Sequence, residues 1–191
     1  LKITSTAGTP FSGTLTLDNG GTYEHAVDGG TIPAATWNSG SNCIITGLTA
    51  TAPSGLNQTF ANFKYNSSFT LTLTGTLTVA GDLDIASDKI AGADQTINLT
   101  GNLTGTKELS FTTGTLNIRG NYTNTGTFTC GTGTVNYNAL AAQQVKSTTY
   151  NNLTISGSGT KTLQGDATIN GNLNISAGTF NLGTTATTIS V

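Results

Sequence analysis

Residues 69–122 read FTLTLTGTLTVAGDLDIASDKIAGADQTINLTGNLTGTKELSFTTGTLNIRGNY, and one short phrase recurs in them: LTVAGDLDI, INLTGNLTG, LNIRGNYTN. Gly81, Gly101 and Gly120 are its fixed points, twenty and then nineteen residues apart, and it returns as ATINGNLNI around Gly171. A period near twenty residues, built of strands and turns without a helical phrase, marks a solenoid in which each repeat stacks on the last. A coil of this length holds three short strands and three corners. It advances about 4.8 Å per turn and lays each strand parallel to its equivalent in the next coil. The expected fold is all-β: a right-handed parallel β-helix of about nine coils, the hand following from the rule for parallel crossovers.

Alternation sets inside and outside. Leu77, Val79, Leu83 and Ile85, then Ile97, Leu99 and Leu103, then Leu116, Ile118 and Tyr122 are expected to stack as apolar ladders, with the intervening Thr and Asn outward. Thr makes up roughly a fifth of the chain and is a strand former, while Asn and Gly suit tight corners. Residues 1–68 read as irregular first coils and 69–191 as regular repeats of one solenoid. Within residues 20–47, three short strands meet at corners Asp28-Gly29-Gly30 and Asn38-Ser39-Gly40. Pro10 and Gly13 interrupt the strand pattern that opens the chain. Residues 139–146, ALAAQQVK, are the one stretch suited to a turn or two of helix. The fifty-one residues from Gly120 to Gly171 are expected to be two coils plus that insertion.

Charged residues make up 8% of the chain and the net charge is −2, so nothing points to nucleic acid or an anionic membrane as partner. The apolar runs fall far short of the roughly twenty residues that span a bilayer. The chain opens on Leu1 without a charged start and apolar region, which suggests a removed signal peptide or an excerpt of a longer protein. Low charge, no Met and abundant hydroxyl and amide side chains suit an extracellular, cell-surface location.

Residues 20–60, GGTYEHAVDGGTIPAATWNSGSNCIITGLTATAPSGLNQTF, resemble secreted and cell-surface β-helical repeat proteins of Bacteroidota. The shared text is G-T-Y-x-H-A, G-G-T-I-P-x-A-T-W-N, a Cys in a short strand and P-x-G-L-x-Q-x-F. The later stretch from GTGTVNYNALAAQQVK onward is similar to the repeats of the same proteins. The resemblance implies a large exported surface protein, often delivered by the type IX secretion system, with adhesive or structural duties. It also implies a second Cys where this chain has Ser67, so the partner expected for Cys43 is missing.

Each chemical candidate has a plainer reading beside it. Cys43 and Cys130 lie about four coils apart, roughly 19 Å along the axis, whereas a disulfide needs Cα atoms within about 7 Å, so buried free thiols are expected. Tyr23, His25 and Trp37, with Phe63 and Tyr65, would suit a sugar-stacking groove, or else fill the core. One His beside Glu24, with no nucleophile, makes no catalytic triad. Asp82, Asp84 and Asp88 have an oxygen spacing that calcium favours, yet the glycine pattern of calcium-binding β-rolls is absent. Asp94 and Asp166 have no basic residue near them in sequence to complete a lyase-like set. Thr70, Thr72, Thr74, Thr76 and Thr78 form a Thr-x-Thr row of the kind used on ice-binding solenoids, but the following coils offer Asn98, Thr100, Asn102 and Thr104, then Thr115, Asn117 and Arg119, and the row decays. No catalytic, cofactor or metal set emerges.

The expected function is therefore a non-enzymatic structural or adhesive module, a unit of an elongated fibre or stalk. A carbohydrate-binding module is the alternative and a polysaccharide-degrading β-helix enzyme the third reading. Leu1 and Ile3 at one end, Ile189 and Val191 at the other, look like unfinished strand edges, suited to end-to-end self-association or to continuation in a longer chain.

Overall fold

The computed structural model describes residues 1–4, 13–184 and 189–190. It is an all-β solenoid of about nine turns. Among the described residues there is no helix, and every paired strand is parallel to its partner. Pro10 and Val191 lie outside the described residues, as does the Ile3 side chain.

Each turn visits three faces in the same order. Sheet 1 runs through Lys2–Ile3, Thr22–His25, Asn42–Ile45, Asn62–Tyr65, Leu83–Ile85 and Leu103–Gly105. Sheet 2 contains Leu71–Thr72, Lys89–Ala93, Glu108–Phe111 and Phe128–Thr129. Sheet 3 has seven strands, from Thr59–Phe60 through Leu77–Val79, Thr96–Leu99, Thr115–Ile118, Thr134–Tyr137 and Asn152–Ile155 to Leu173–Ile175. The pair Leu15–Leu17 and Ala35–Trp37 takes the sheet 3 place in the first coils. In the last coils Gln143–Val145, Thr160–Leu163 and Thr179–Asn181 take the sheet 1 place, and Thr149–Tyr150, Ala167–Ile169 and Ile189–Ser190 that of sheet 2.

Burial follows the expected parity. Leu77, Val79, Leu83, Ile85, Ile97, Leu103, Leu116 and Ile118 are fully buried, with Leu99 and Tyr122 nearly so. The first coils are more regular than their text implies: Tyr23 lies over Cys43, Cys43 over Phe63 and Phe63 over Leu83, twenty residues apart each time. The three short strands and two corners read in residues 20–47 are in place.

Two expectations are corrected in the later coils. Residues 139–146 form no helix: Gln143–Val145 is a strand stacked against Lys161, Thr162 and Leu163. Nor are residues inserted there, since Ile118, Tyr137, Ile155 and Ile175 follow one another in sheet 3 at spacings of 19, 18 and 20. The fifty-one residues to Gly171 are two turns plus two further faces, Thr160–Leu163 and Ala167–Ile169. Gly81, Gly101 and Gly120 stack at the corner between sheets 3 and 1, whereas Gly171 stacks on Asn151 at the corner between sheets 2 and 3. The phrase encodes a strand, a corner and a strand, and any corner of the coil accepts it.

The corner itself is held by side chains. Asn62 Oδ1 accepts the Asp82 N–H (3.0 Å), Asp82 Oδ1 the Asn102 N–H (2.7 Å), Asn102 Oδ1 the Asn121 N–H (2.9 Å) and Asn121 Oδ1 the Gln144 N–H (3.0 Å). Each carbonyl or carboxylate does for the rung above what a backbone C=O does within a sheet. At the other corner Asn152 Oδ1 takes the Asn172 N–H (3.1 Å) in the same way. The preceding Gly is required by contact: a Cβ on Gly120 would sit 2.1 Å from the Gly101 oxygen.

Leu116→Ala and Ile118→Ala should each cost about 2–5 kcal/mol, while Thr78→Ala should stay within about 0.5 kcal/mol. Gly120→Ala should cost more than Thr78→Ala, through the clash with Gly101. Denaturant unfolding of the four variants reads the order, and a costly Thr78 with a cheap Leu116 would exchange inside and outside.

Candidate functional site

The aromatic side chains named as a ligand-stacking set are core. Tyr23 and Tyr65 are fully buried, Phe63 is 1% exposed and His25 1% exposed. Trp37 alone is only partly buried. Its ring lies 5.0 Å from Phe60 and edge-on to Tyr23 at 6.2 Å, and its Nε1 donates to Gln58 Oε1 at 2.8 Å. Tyr23, Phe63 and Tyr65 therefore offer no face to a sugar, because strand parity turns them inward with Cys43 and Leu83.

His25 has a structural task. Its Nε2 lies 2.7 Å from the Gly29 carbonyl and its Nδ1 3.1 Å from the Tyr23 hydroxyl. Nε2–H donates to Gly29 and Nδ1 accepts from Tyr23, which leaves the ring neutral. Burial lowers its pKa, partly offset by the bond to Gly29, and raises that of Tyr23 to about 12. Beyond this relay, Asp28 Oδ1 accepts the N–H groups of Thr49, Ala50 and Thr51 at 2.8, 2.8 and 2.9 Å. These bonds hold its pKa at about 2.

Cys43 and Cys130 are free and buried, on rungs four turns apart. Burial pushes both thiols above their ordinary range. The three aspartates with a calcium-like spacing have separate duties: Asp82 in the corner ladder, Asp84 paired with Lys64 at 2.7 Å, Asp88 accepting from Thr70 Oγ1 at 3.0 Å. Among the described residues no three His, Cys, Asp or Glu side chains converge on a point. Asp94 accepts from the neighbouring Gln95 amide.

Two long polar side chains stacked inside the later coils carry no warning of it in their own chemistry. Lys161 is fully buried in the sheet 1 place, its Nζ donating to the carbonyls of Ala139 (2.6 Å) and Gly159 (3.0 Å), and burial lowers its pKa. Beneath it Gln143 donates to the carbonyls of Ile118 (2.9 Å) and Gly120 (2.5 Å) and accepts from Ala139 N–H. Inward parity at Gln143 and Lys161 was the available signal, masked by their polarity.

The surface holds one ordered array. The five-threonine run crosses a corner, with Thr72 in sheet 2 and Thr78 in sheet 3, so it makes no single row. Sheet 3 instead carries two outward columns: Thr96, Thr115, Thr134 and Asn152 in one, and Thr78, Asn98, Asn117, Asn136 and Thr154 in the other. Asn117 Nδ2 donates to Asn98 Oδ1 at 2.9 Å, Asn136 Nδ2 to Asn117 Oδ1 at 3.0 Å, and Ser156 Oγ to Asn136 Oδ1 at 2.7 Å. Counting from the first Thr of each strand rather than from the glycine reveals this register in the sequence. Comparison with known proteins returns nothing: no family model, curated protein or solved structure matches the chain. No helix among the described residues is long and apolar enough to cross a membrane.

Native protein should resist maleimide at Cys43 and Cys130, and denatured, unreduced protein should label at both; a recovered Cys43–Cys130 disulfide would contradict the rung assignment. Acid should destabilise the fold in two windows. His25 takes up a proton more readily unfolded, so stability falls as pH drops below about 6.5 until its lower folded pKa is passed. Asp28 contributes stability above about 3.8 that is lost as pH falls toward 2. Glu24, whose pKa the bonds from Lys2 and Thr46 lower, adds to the second window. In melting curves against pH, His25→Gln should remove the first decline and Asp28→Asn shrink the second. An unchanged profile in His25→Gln would rule out the relay.

Proposed function

We propose that the chain is a non-enzymatic structural or adhesive module of an extracellular surface protein, working as a unit of an elongated fibre or stalk. The observation that carries this reading is the exposed apolar rung at the sheet edge Leu173–Ile175 among the described residues. Ile175 is 51% exposed, while Ile155, its partner one rung below, is fully buried. Phe180 and Leu173 are likewise only partly covered, and the strand Leu173–Ile175 lies at the edge of the seven-stranded sheet. A parallel sheet edge over partly exposed apolar side chains is a surface on which the first rung of a neighbouring copy can stack. The resemblance of residues 20–60 to exported Bacteroidota surface proteins supports the extracellular location, as does the low charge. Of the candidate ends, Leu1 is half-exposed and Ile189 partly buried.

Carbohydrate binding is the second reading. The burial of Tyr23, Phe63 and Tyr65 moves it away from aromatic stacking, and the Thr and Asn columns of sheet 3 favour it.

Light scattering and negative-stain microscopy of the purified chain should show rods that lengthen with concentration by end-to-end addition. Ile175→Asp, which places a charge on the exposed rung, should leave the fold intact and hold the particle at one unit. Rods that persist unchanged in Ile175→Asp, or a strictly monomeric parent at all concentrations, would overturn the fibre reading.

A further inference from the structure

Sheet 3 combines four properties that the other faces lack together. Its two outward columns stay in register over consecutive strands, Thr96 with Thr115 and Thr134, Asn98 with Asn117 and Asn136. Neither column holds an ionisable side chain, whereas sheet 1 carries the pairs Lys2–Glu24 and Lys64–Asp84 and sheet 2 the pair Lys89–Glu108. The asparagines are tied to one another from rung to rung, so their orientation is set before any ligand arrives. Each central asparagine keeps an amide hydrogen and a carbonyl lone pair after those bonds. Several outward threonines on other faces spend their hydroxyls within the chain, as Thr46 does on Glu24, Thr104 on the Leu83 carbonyl and Thr132 on the Thr112 carbonyl. Among the described residues the Thr96, Thr115 and Thr134 hydroxyls find no such partner.

The result is a neutral grid of hydroxyl and amide groups, spaced about 4.8 Å along the axis and roughly 6.6 Å across it. A small solute meets only one or two of these groups, and a charged polymer gains nothing from them. A ligand that repeats at a similar interval and presents neutral hydroxyls engages all of them at once, and many weak contacts on a rigid array add through multivalency. We propose that sheet 3 is a binding face for an ordered, neutral polysaccharide, its chains lying along the solenoid axis with sugar hydroxyls bonded to the Thr96, Thr115 and Thr134 hydroxyls and to the Asn98, Asn117 and Asn136 amides. This rests on the adhesive side of the surface-module reading and names the ligand class of that module. Arg119, which flanks the array beside Asn117 in the Thr115–Ile118 rung, marks its limit, because it points a cation out at the corner.

The test is co-sedimentation of the full chain with microcrystalline cellulose and with crystalline chitin, and in parallel with an anionic polysaccharide at low and high salt. The triple variant Thr96→Val, Thr115→Val, Thr134→Val keeps shape and strand preference while removing three hydroxyls. It should keep its melting temperature and lose at least about tenfold in affinity. Thr104→Val, on sheet 1, should bind as the parent does. Retention by either crystalline polymer, insensitive to salt and lost in the triple variant, supports the proposal. A parent that binds neither polymer overturns it, as does a triple variant that binds equally. Binding only to the anionic polymer, or ice-crystal shaping without polysaccharide binding, overturns it too. None of these negative results touches end-to-end assembly, which particle length reads separately.

Discussion

Everything in this molecule depends on the hydrogen-bond ladder between successive turns. Because every strand pairs in parallel with the strand one turn away, each turn must take the same number of residues within one or two. Each corner must also hand the chain to the next face at the right height. The backbone satisfies itself within the sheets, as in Leu83 with Leu103 or Ile118 with Tyr137. At the corner the glycines bond backbone to backbone, but the N–H that follows each of them is left over. The series Asn62, Asp82, Asn102 and Asn121 takes it up, one side-chain oxygen per rung accepting the N–H that follows in the next. The glycine before three of the four lets the rungs approach closely enough for that bond.

The same constraint explains the composition. A residue pointing inward sits between identical positions above and below it, so Leu, Ile, Val and Tyr fill the interior and charges are kept out. The one full exception, Lys161, is tolerated because main-chain carbonyls of Ala139 and Gly159 take its ammonium protons. A residue pointing outward has the same stacked neighbours, where repeated like charges would repel. Thr and Asn avoid that penalty, and Asn gains an amide-to-amide bond at each step. The low charge of the chain is in this sense a property of the ladder before it is a property of any ligand.

How much was legible follows from what each signal encodes. The glycine phrase carries coil length, and alternation carries inside and outside, so the parallel solenoid and the ladder of Leu77, Ile97 and Leu116 could be read directly. The phrase does not say which corner it occupies. For that reason the phrase equates Gly171 with Gly120 and suggests a helical insertion where Gln143–Val145 continues the strands. Polarity misled at Gln143 and Lys161, whose partners are carbonyls set by the fold. Tyr23, Phe63 and Tyr65 carried parity that placed them inside, against the appeal of aromatic residues as ligand platforms. The Thr and Asn columns stay hidden because the row starts from residues 70–78, a run that crosses a corner from sheet 2 to sheet 3 and so is not one face.

The corner ladder can be tested at a single amide. Asn121 N–H is bonded by the Asn102 side chain at 2.9 Å, while the nearby Arg119 N–H is bonded by the Leu99 backbone carbonyl at 2.9 Å. Hydrogen exchange of the two amides, measured in the parent and in Asn102→Ala, separates the corner from the sheet. The account predicts that Asn121 exchanges about ten- to a hundredfold faster in the variant while Arg119 keeps its protection. Equal protection of Asn121 in both proteins would contradict the claim that side chains of this series join one turn to the next.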